Sequence, residues 1–401
     1  MRVVCCQNTE DLKRLMSQIK ADSYGIKIMV PKALSFLIYI DSLPVISANV
    51  LKQEMLSLGA DVAVSRDTLT GKDKKTACLL MATLSQYECL SEKLKRQPFG
   101  LANLGLELSH TLNNFRKDNF ILKLGNRSLS LGRSCAVMGV INLTPDSFSG
   151  DGLLRSSGLR EQKDGIEGLA RKMVNDGADI LDLGGESSRP QAKPVSLKEE
   201  IKRVIPAIKI IKKRIKTFIS VDTSKPEVAK AALDSGAEIV NDISGLRNGR
   251  MAKVIASADA AVVVMHMKGC PQTMQRRPEY SSLRGEIIAY LAGRIKEALD
   301  AGIDKDKIIV DPGIGFGKSV AHNLELLKHL SEFKILGCPI LVGTSRKSFI
   351  GQILGVDSGD RIFGTTATCV EAFRNGASMV RVHDVREIKQ ALILSERIKN
   401  V

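Results

Sequence analysis

With 401 residues, 44% hydrophobic and 26% charged, the chain has the balance of a globular protein and the length for two domains. Disordered and fibrous classes are excluded, and no apolar run is long enough to span a membrane. The net charge of +15 suggests nucleic acid, yet aromatic residues are only 4% with no tryptophan, which leaves few platforms for stacking bases.

The basic residues are dispersed, with short clusters such as KIIKKRIK at 209–216. A surface that draws in small anionic substrates is the simpler reading. Neither nucleic acid nor a membrane is therefore expected as a partner.

The opening stretch, MRVVCCQNTEDLKRLMSQIK, meets acidic and amide residues at once and has no apolar signal core. The eight cysteines form no C-x-x-C pair or zinc spacing. Reduced thiols in a cytoplasmic protein are expected.

Residues 1–130 read as a small accessory α/β domain. LKQEMLSLGADVAVS (51–65) is a helix, a glycine stop and a strand, and a long helical stretch is expected around 76–96. No motif here carries chemistry. A junction near KLGNRSLSLGR (123–133) leads into a second domain, 131–401.

A rhythm begins at residue 135. Eight short apolar runs end in polar or glycine residues: CAVMGVIN, ADILDLGG, FISVD, EIVNDI, AVVVMH, KIIVDPG, PILVGTS and MVRVHD. Near-continuous apolar strands suit a parallel sheet buried on both faces. Amphipathic helices separate them, and four helices close on glycines, Gly177, Gly236, Gly302 and Gly376, suited to the left-handed C-cap. Ser196 with Glu199, and Ser224 with Glu227, have capping-box spacing. Repeated β-then-α units predict a (β/α)8 TIM barrel, with an open doubly wound sheet as the rival.

In a barrel the chemistry belongs at the C-terminal ends of the strands. Those ends hold Asn142, Asp182, Asp222, Asn241 with Asp242, His266, Asp311, Ser345-Arg346-Lys347, and Arg381 with His383. DPGIGFGKS (311–319) looks at first like a phosphate-binding P-loop. The leading glycine of that loop falls on Pro312, which has no N–H to offer a phosphate, so the reading fails.

These segments resemble the dihydropteroate synthase family. MGVINLTPDSFSGDG (138–152) is similar to its first signature and ILDLGGESSRP (180–190) to its second. SVDTSKPEVAKAAL, IVNDISG, VVMHMKG, DPGIGFGKS, LVGTSRKSFIG and RVHDV follow in the family's order. The resemblance covers 131–401. It implies a pterin-binding barrel that condenses 6-hydroxymethyl-7,8-dihydropterin pyrophosphate with p-aminobenzoate in folate biosynthesis, the step that sulfonamides target. A folate-dependent methyltransferase and a non-catalytic pterin-binding paralogue are the rival functions.

The resemblance also implies roles. A pterin edge of mixed donors and acceptors suits Asp222, Asn241 and Asp311, with Asp182 beside them. Lys347 resembles the lysine that contacts the ring, and Phe316 and Met267 are expected to wall the pocket. Arg381 and His383, two apart on a strand and so on one face, suit the diphosphate. Asn142 resembles the residue near a Mg2+ ion. Asp146 and Phe148 align with the first loop, where Asp151 is a competing match for the loop aspartate. Ser188 stands where threonine is common, and Arg189 meets either pyrophosphate or the p-aminobenzoate carboxylate. A homodimer is the family's usual state.

Overall fold

The computed structural model describes residues 1–4, 6, 9–68, 72–144, 159–187, 194–269, 274 and 278–399. Two compact units divide the chain, Met1–Asn113 and Asn114–Val401.

In the first unit, α1 (Thr9–Gln18), α2 (Ser23–Ala33), β1 (Ser35–Pro44), α3 (Val45–Ser57), β2 (Asp61–Val64), β3 (Lys75–Thr83), α4 (Leu84–Leu94) and α5 (Leu101–Phe115) follow in order. The strands pair antiparallel in the order β1-β3-β2. The expected helix over 76–96 is corrected here: its first half is the central strand. Thr76, Cys78, Leu80 and Ala82 are buried in alternation, the period of a pleated strand. The helix starts only at Leu84, after a capping box in which Thr83 Oγ1 accepts from Gln86 N–H at 3.3 Å and Gln86 Oε1 accepts from Thr83 N–H at 2.8 Å. Leu51, Met55, Leu80, Tyr87 and Leu90 form the core.

The second unit opens with a hairpin, β4 (Phe120–Leu124) and β5 (Arg127–Leu131). The division of the chain thus falls before this hairpin and not at residue 130. Eight parallel strands follow: β6 (Ala136–Asn142), β7 (Ile180–Gly184), β8 (Phe218–Asp222), β9 (Ile239–Asp242), β10 (Ala261–Met265), β11 (Ile308–Asp311), β12 (Leu341–Val342) and β13 (Met379–Val382). Their order is β11-β10-β9-β8-β7-β6-β13-β12, and a bridge between Val310 and Ile340 joins the two edges. The sheet is a (β/α)8 barrel, and the open-sheet rival is set aside.

Helices alternate with the strands: α6 (Leu159–Asn175), α7 (Leu197–Arg214), α8 (Pro226–Asp234), α9 (Gly249–Ser257), α10 (Leu283–Asp300), α11 (Val320–Lys328), α12 (Ser348–Leu354), α13 (Ile362–Arg374) and α14 (Val385–Lys399). The four glycine stops hold positive φ, +104°, +107°, +93° and +104° at Gly177, Gly236, Gly302 and Gly376. Ser196 caps α7 by accepting from Glu199 N–H at 3.3 Å. Ser224 does not cap α8; that helix starts at Pro226, with Lys225 in the cap position and no side-chain cap bond. No described helix is long and apolar enough to cross a membrane.

The period of two sorts each strand into functions. Outward residues such as Val137, Leu181, Val221, Val240 and Val262 pack with the helices in one core. Inward residues at the strand starts, including Ile180, Phe218, Ile239, Ile309 and Met379, are apolar too, and they cluster with Leu122, Leu124 and Leu131 of the hairpin. The hairpin therefore stoppers the N-terminal end of the barrel. Two residues further along each strand, the same inward face carries Asp182, Ser220, Asn241, Asp311 and Arg381. One end of the barrel is thus closed and dry while the other is polar.

Leu122→Ala removes a fully buried side chain from the stopper and is expected to lower unfolding free energy by about 2–5 kcal/mol. Denaturant unfolding measures it.

Candidate active site

A cavity of about 520 Å³ opens at the polar end. Asn142, Asp222, Asn241, Asp311, Phe316, Lys347, Arg381 and His383 all line it, so eight of the residues expected from sequence converge. Each lies within an inward-facing run or on the loop just after it.

Arg381 is the centre of the polar network. Its Nε donates to Asp182 Oδ2 at 2.7 Å and its Nη2 to Asp222 Oδ2 at 2.7 Å. Asp182 Oδ2 also accepts from Asn241 Nδ2 at 3.1 Å, which turns the Asn241 carbonyl oxygen away from that carboxylate. Asp182 is fully buried and does not line the cavity. Its expected place in the substrate wall is corrected: it stands behind the wall and orients two residues in it. Three of the five guanidinium N–H groups remain beyond these two bonds.

The acids here are hard to ionise. Burial pushes Asp222 up to about 7, with Asp182 and Glu200 adding to the rise and Arg381 opposing it. Burial likewise raises Asp311 to about 6, against the Gly313 N–H that it accepts at 2.7 Å and the charges of Lys347 and Lys318. Lys347 moves the other way, down to about 8, through desolvation and the nearby Arg381. Its ammonium sits 3.9 Å from the centre of the Phe316 ring. The turn that places it uses Arg346 at φ +57°, a left-handed conformation held by a forked ion pair to Asp384 at 3.1 and 2.6 Å.

The glycines of DPGIGFGKS do steric work. Gly313, Gly315 and Gly317 all have positive φ, and a Cβ on Gly313 would lie 1.9 Å from the His266 carbonyl oxygen. Only glycine lets this loop lie so close to the end of β10.

His383 Nδ1 is 3.0 Å from Ser345 Oγ, and His383 Nε2 is 3.4 Å from Asn142 Nδ2. Asp242 serves the backbone, accepting from Ser244 and Leu246 N–H at 2.9 and 2.8 Å. His266 does not line the cavity, and burial with nearby Lys318 pushes its imidazole down to about 3, so it is neutral.

Met267 is buried behind the cavity and does not wall it, a second correction. Met265, Met274, Ile243 and Ile314 supply the apolar lining with Phe316. Two of these were findable: Ile243 and Met265 each lie two residues beyond an inward residue of their strand. Glu186 was missed as well. It lines the cavity, accepts from Val195 N–H at 3.0 Å, and pairs with Lys225, which also binds the fully buried Glu200. Asp146, Phe148, Asp151, Ser188 and Arg189 lie outside the described residues.

Known proteins agree with this architecture. The family described as pterin binding enzyme matches residues 138–383. Dihydropteroate synthase of Escherichia coli K12 is 45% identical over 260 residues, 65% of this chain and 90% of that protein. The probable bifunctional folylpolyglutamate synthase/dihydropteroate synthase of Haloferax volcanii is 40% identical over 349 residues, 85% of this chain and 40% of that protein. That second match is longer than the barrel unit and so reaches into the first unit. Among solved structures, Yersinia pestis dihydropteroate synthase in a sulfonamide drug complex has a TM-score of 0.66 at 39% identity, covering 70% of this chain and all of that one.

Arg381→Ala would leave Asp182 buried without its cation. The variant is expected to lose about 3–5 kcal/mol of stability, read from chemical denaturation.

Proposed function

The chain belongs to the pterin binding enzymes, among the dihydropteroate synthases, and from that premise we propose roles for the residues of its site. The enzyme condenses 6-hydroxymethyl-7,8-dihydropterin pyrophosphate with p-aminobenzoate to give 7,8-dihydropteroate, a folate precursor, and pyrophosphate. One observation carries the assignment of roles: side chains from strands far apart in sequence meet around a single cavity that mixes carboxylates, a carboxamide and cations.

Asp222, Asn241 and Asp311 take the pterin edge, whose amide and amine N–H groups need acceptors. A ligand lacking those groups would leave desolvated carboxylates unpaired, at about 1–3 kcal/mol each. Phe316, Met265 and Met274 flank the ring, and Lys347 contacts it over Phe316. Arg381, oriented by Asp182 and Asp222, turns its remaining donors to the diphosphate, and His383, held by Ser345, is assigned beside it. Ser188 and Arg189 are assigned to the amine substrate, and Asp146 and Phe148 to the loop that completes the site.

A Mg2+ ion fits beside Asn142. Its amide nitrogen faces His383, which leaves the carbonyl oxygen as a hard ligand, and no cluster of three His, Cys, Asp or Glu competes among the described residues. Magnesium takes few protein ligands and keeps waters or phosphate oxygens, so one carboxamide suffices. When bound, it would supply positive charge to the pyrophosphate oxygens.

For the chemistry, departure of pyrophosphate precedes attack. The dihydropterin ring feeds electrons toward its exocyclic methylene, and the C–O bond to the diphosphate breaks as negative charge grows there. Arg381 neutralises that charge, and each well-aimed donor is worth about 2.7–4 kcal/mol in the transition state. The aryl amine is neutral at pH 7, so its nitrogen attacks without a general base and loses its proton afterwards. Unpaired thiols, as at Cys78 and Cys135, fit a cytoplasmic setting and have no part in the reaction.

A coupled assay of pyrophosphate release on adding p-aminobenzoate tests these roles. Asp222→Ala is expected to weaken pterin binding about ten- to a hundredfold. Arg381→Ala, in its folded fraction, should weaken free pterin binding less than Asp222→Ala does and lose about 10²–10³ in kcat. Full activity in both variants would refute the placement.

Pairing of two copies is supported by the outer face of α12 and α13, where Ile353, Leu354 and Phe363 are 51%, 50% and 83% exposed. Sedimentation should give a dimer, and Phe363→Glu a monomer. A wild-type monomer at micromolar concentration would refute it.

A further inference from the structure

Two lysines are buried among the described residues, and they are treated differently. Lys307 forms an ion pair with Asp259. Lys318, the lysine that made DPGIGFGKS look like a P-loop, is 3% exposed, and among the described residues no carboxylate lies within ion-pair distance of it. Its ammonium instead lies 3.0 Å from His266 Nδ1 and donates to the Phe316 carbonyl at 3.0 Å. A buried cation supported by neutral acceptors is costly unless it answers a charge nearby.

That charge is Asp311. Lys318 sits directly under the loop that leaves Asp311: a Cβ on Gly313 would be 3.4 Å from Nζ, and Gly313 N–H is the donor that Asp311 Oδ1 accepts. The imidazole beside it cannot compete for the proton. His266 is neutral, edge-on to Tyr290 at 5.0 Å, and its Nδ1 is therefore an acceptor for Lys318. The ammonium thus ties the end of β10 to the carbonyl of a cavity-lining residue, across a loop that only glycines can form.

We infer that Lys318 is a positioning residue of the pterin pocket: clamped between His266 and the Phe316 carbonyl, it fixes the 313–317 loop and, together with Lys347, sets positive charge beside Asp311. The inference rests on the reading that Asp311 takes the pterin edge. Other charges face the pair from each neighbouring element: Arg247 after β9, Lys268 after β10, Lys347 after β12 and Arg381 on β13. Lys347 opposes protonation of Lys318, while Asp311 favours it, and burial brings its pKa down to about 7. Below that pH the ammonium is charged. There it holds down the carboxyl of Asp311, which would otherwise rise further through desolvation.

The test is binding of 6-hydroxymethyl-dihydropterin, without its diphosphate, from pH 5 to 9. In the wild type affinity should fall as pH drops through about 6, where Asp311 takes a proton. Lys318→Met should move this acid limb up by about one pH unit, weakening binding about tenfold at pH 5 and only about twofold at pH 7. Lys318→Arg should keep the wild-type limb. Lys318→Gln, which retains a donor for the Phe316 carbonyl, replaces the methionine variant if that one does not fold, as thermal melting will report. Binding that weakens equally at every pH, with the limb unmoved, would reduce Lys318 to a structural role and overturn the inference. Asp311→Asn separates the premise: if it binds the pterin as the wild type does, the pocket assignment itself fails, whatever Lys318 does.

Discussion

A guanidinium held between two largely buried carboxylates is expensive to desolvate, and it is retained where its geometry is needed. Arg381 bridges Asp182 on β7 and Asp222 on β8 from its own strand, β13. Those contacts span one side of the barrel mouth and also reach Asn241 through Asp182. Rotation of any one of these side chains would disturb the other three. The four side chains therefore form a single hydrogen-bonded unit at the barrel mouth.

Two opposing distortions coexist in this unit. Burial raises Asp222 and Asp311 and lowers Lys347 and Lys318, so each acid and base is close to giving up its charge near neutral pH. Such perturbed groups gathered in a cleft are what a binding site for a polar, partly charged ligand requires. A ligand donating N–H groups to the carboxylates stabilises the ionised form that the empty pocket holds only with help from neighbouring cations. Recognition and protonation are coupled through the same few side chains.

Much of this was legible in the sequence because the strand period is simple. Alternation along a strand puts residues two apart on one face, so Arg381 and His383 project together. The same rule, carried one step further, leads to Ile243 and Met265, while Met267 falls outside the lining. What was lost had physical causes. The stretch 75–83 has an apolar density that suits helix or strand, and the pairing of β3 between two partners decided the outcome over local propensity. The hairpin 120–131 carries no chemistry, and its place is fixed by an apolar barrel floor built from residues far away in sequence. Asp182 looked like a ligand because a strand-end carboxylate can face substrate or support a neighbour, and only its burial distinguishes the two.

The excess positive charge acquires a role once the reactants are known. Both substrates are anions, and one leaves behind a second anion, pyrophosphate. A dispersed net charge of +15 raises the local concentration of such species at the surface without fixing where they bind. Discrimination has to come from the cavity, where carboxylates and cations are both present, so that the region closest to the pterin is not simply basic. A mouth lined by cations alone would hold the diphosphate in any orientation. Setting Asp222 and Asp311 among Arg381 and Lys347 gives the pocket both acceptors for N–H groups and donors for anionic oxygens.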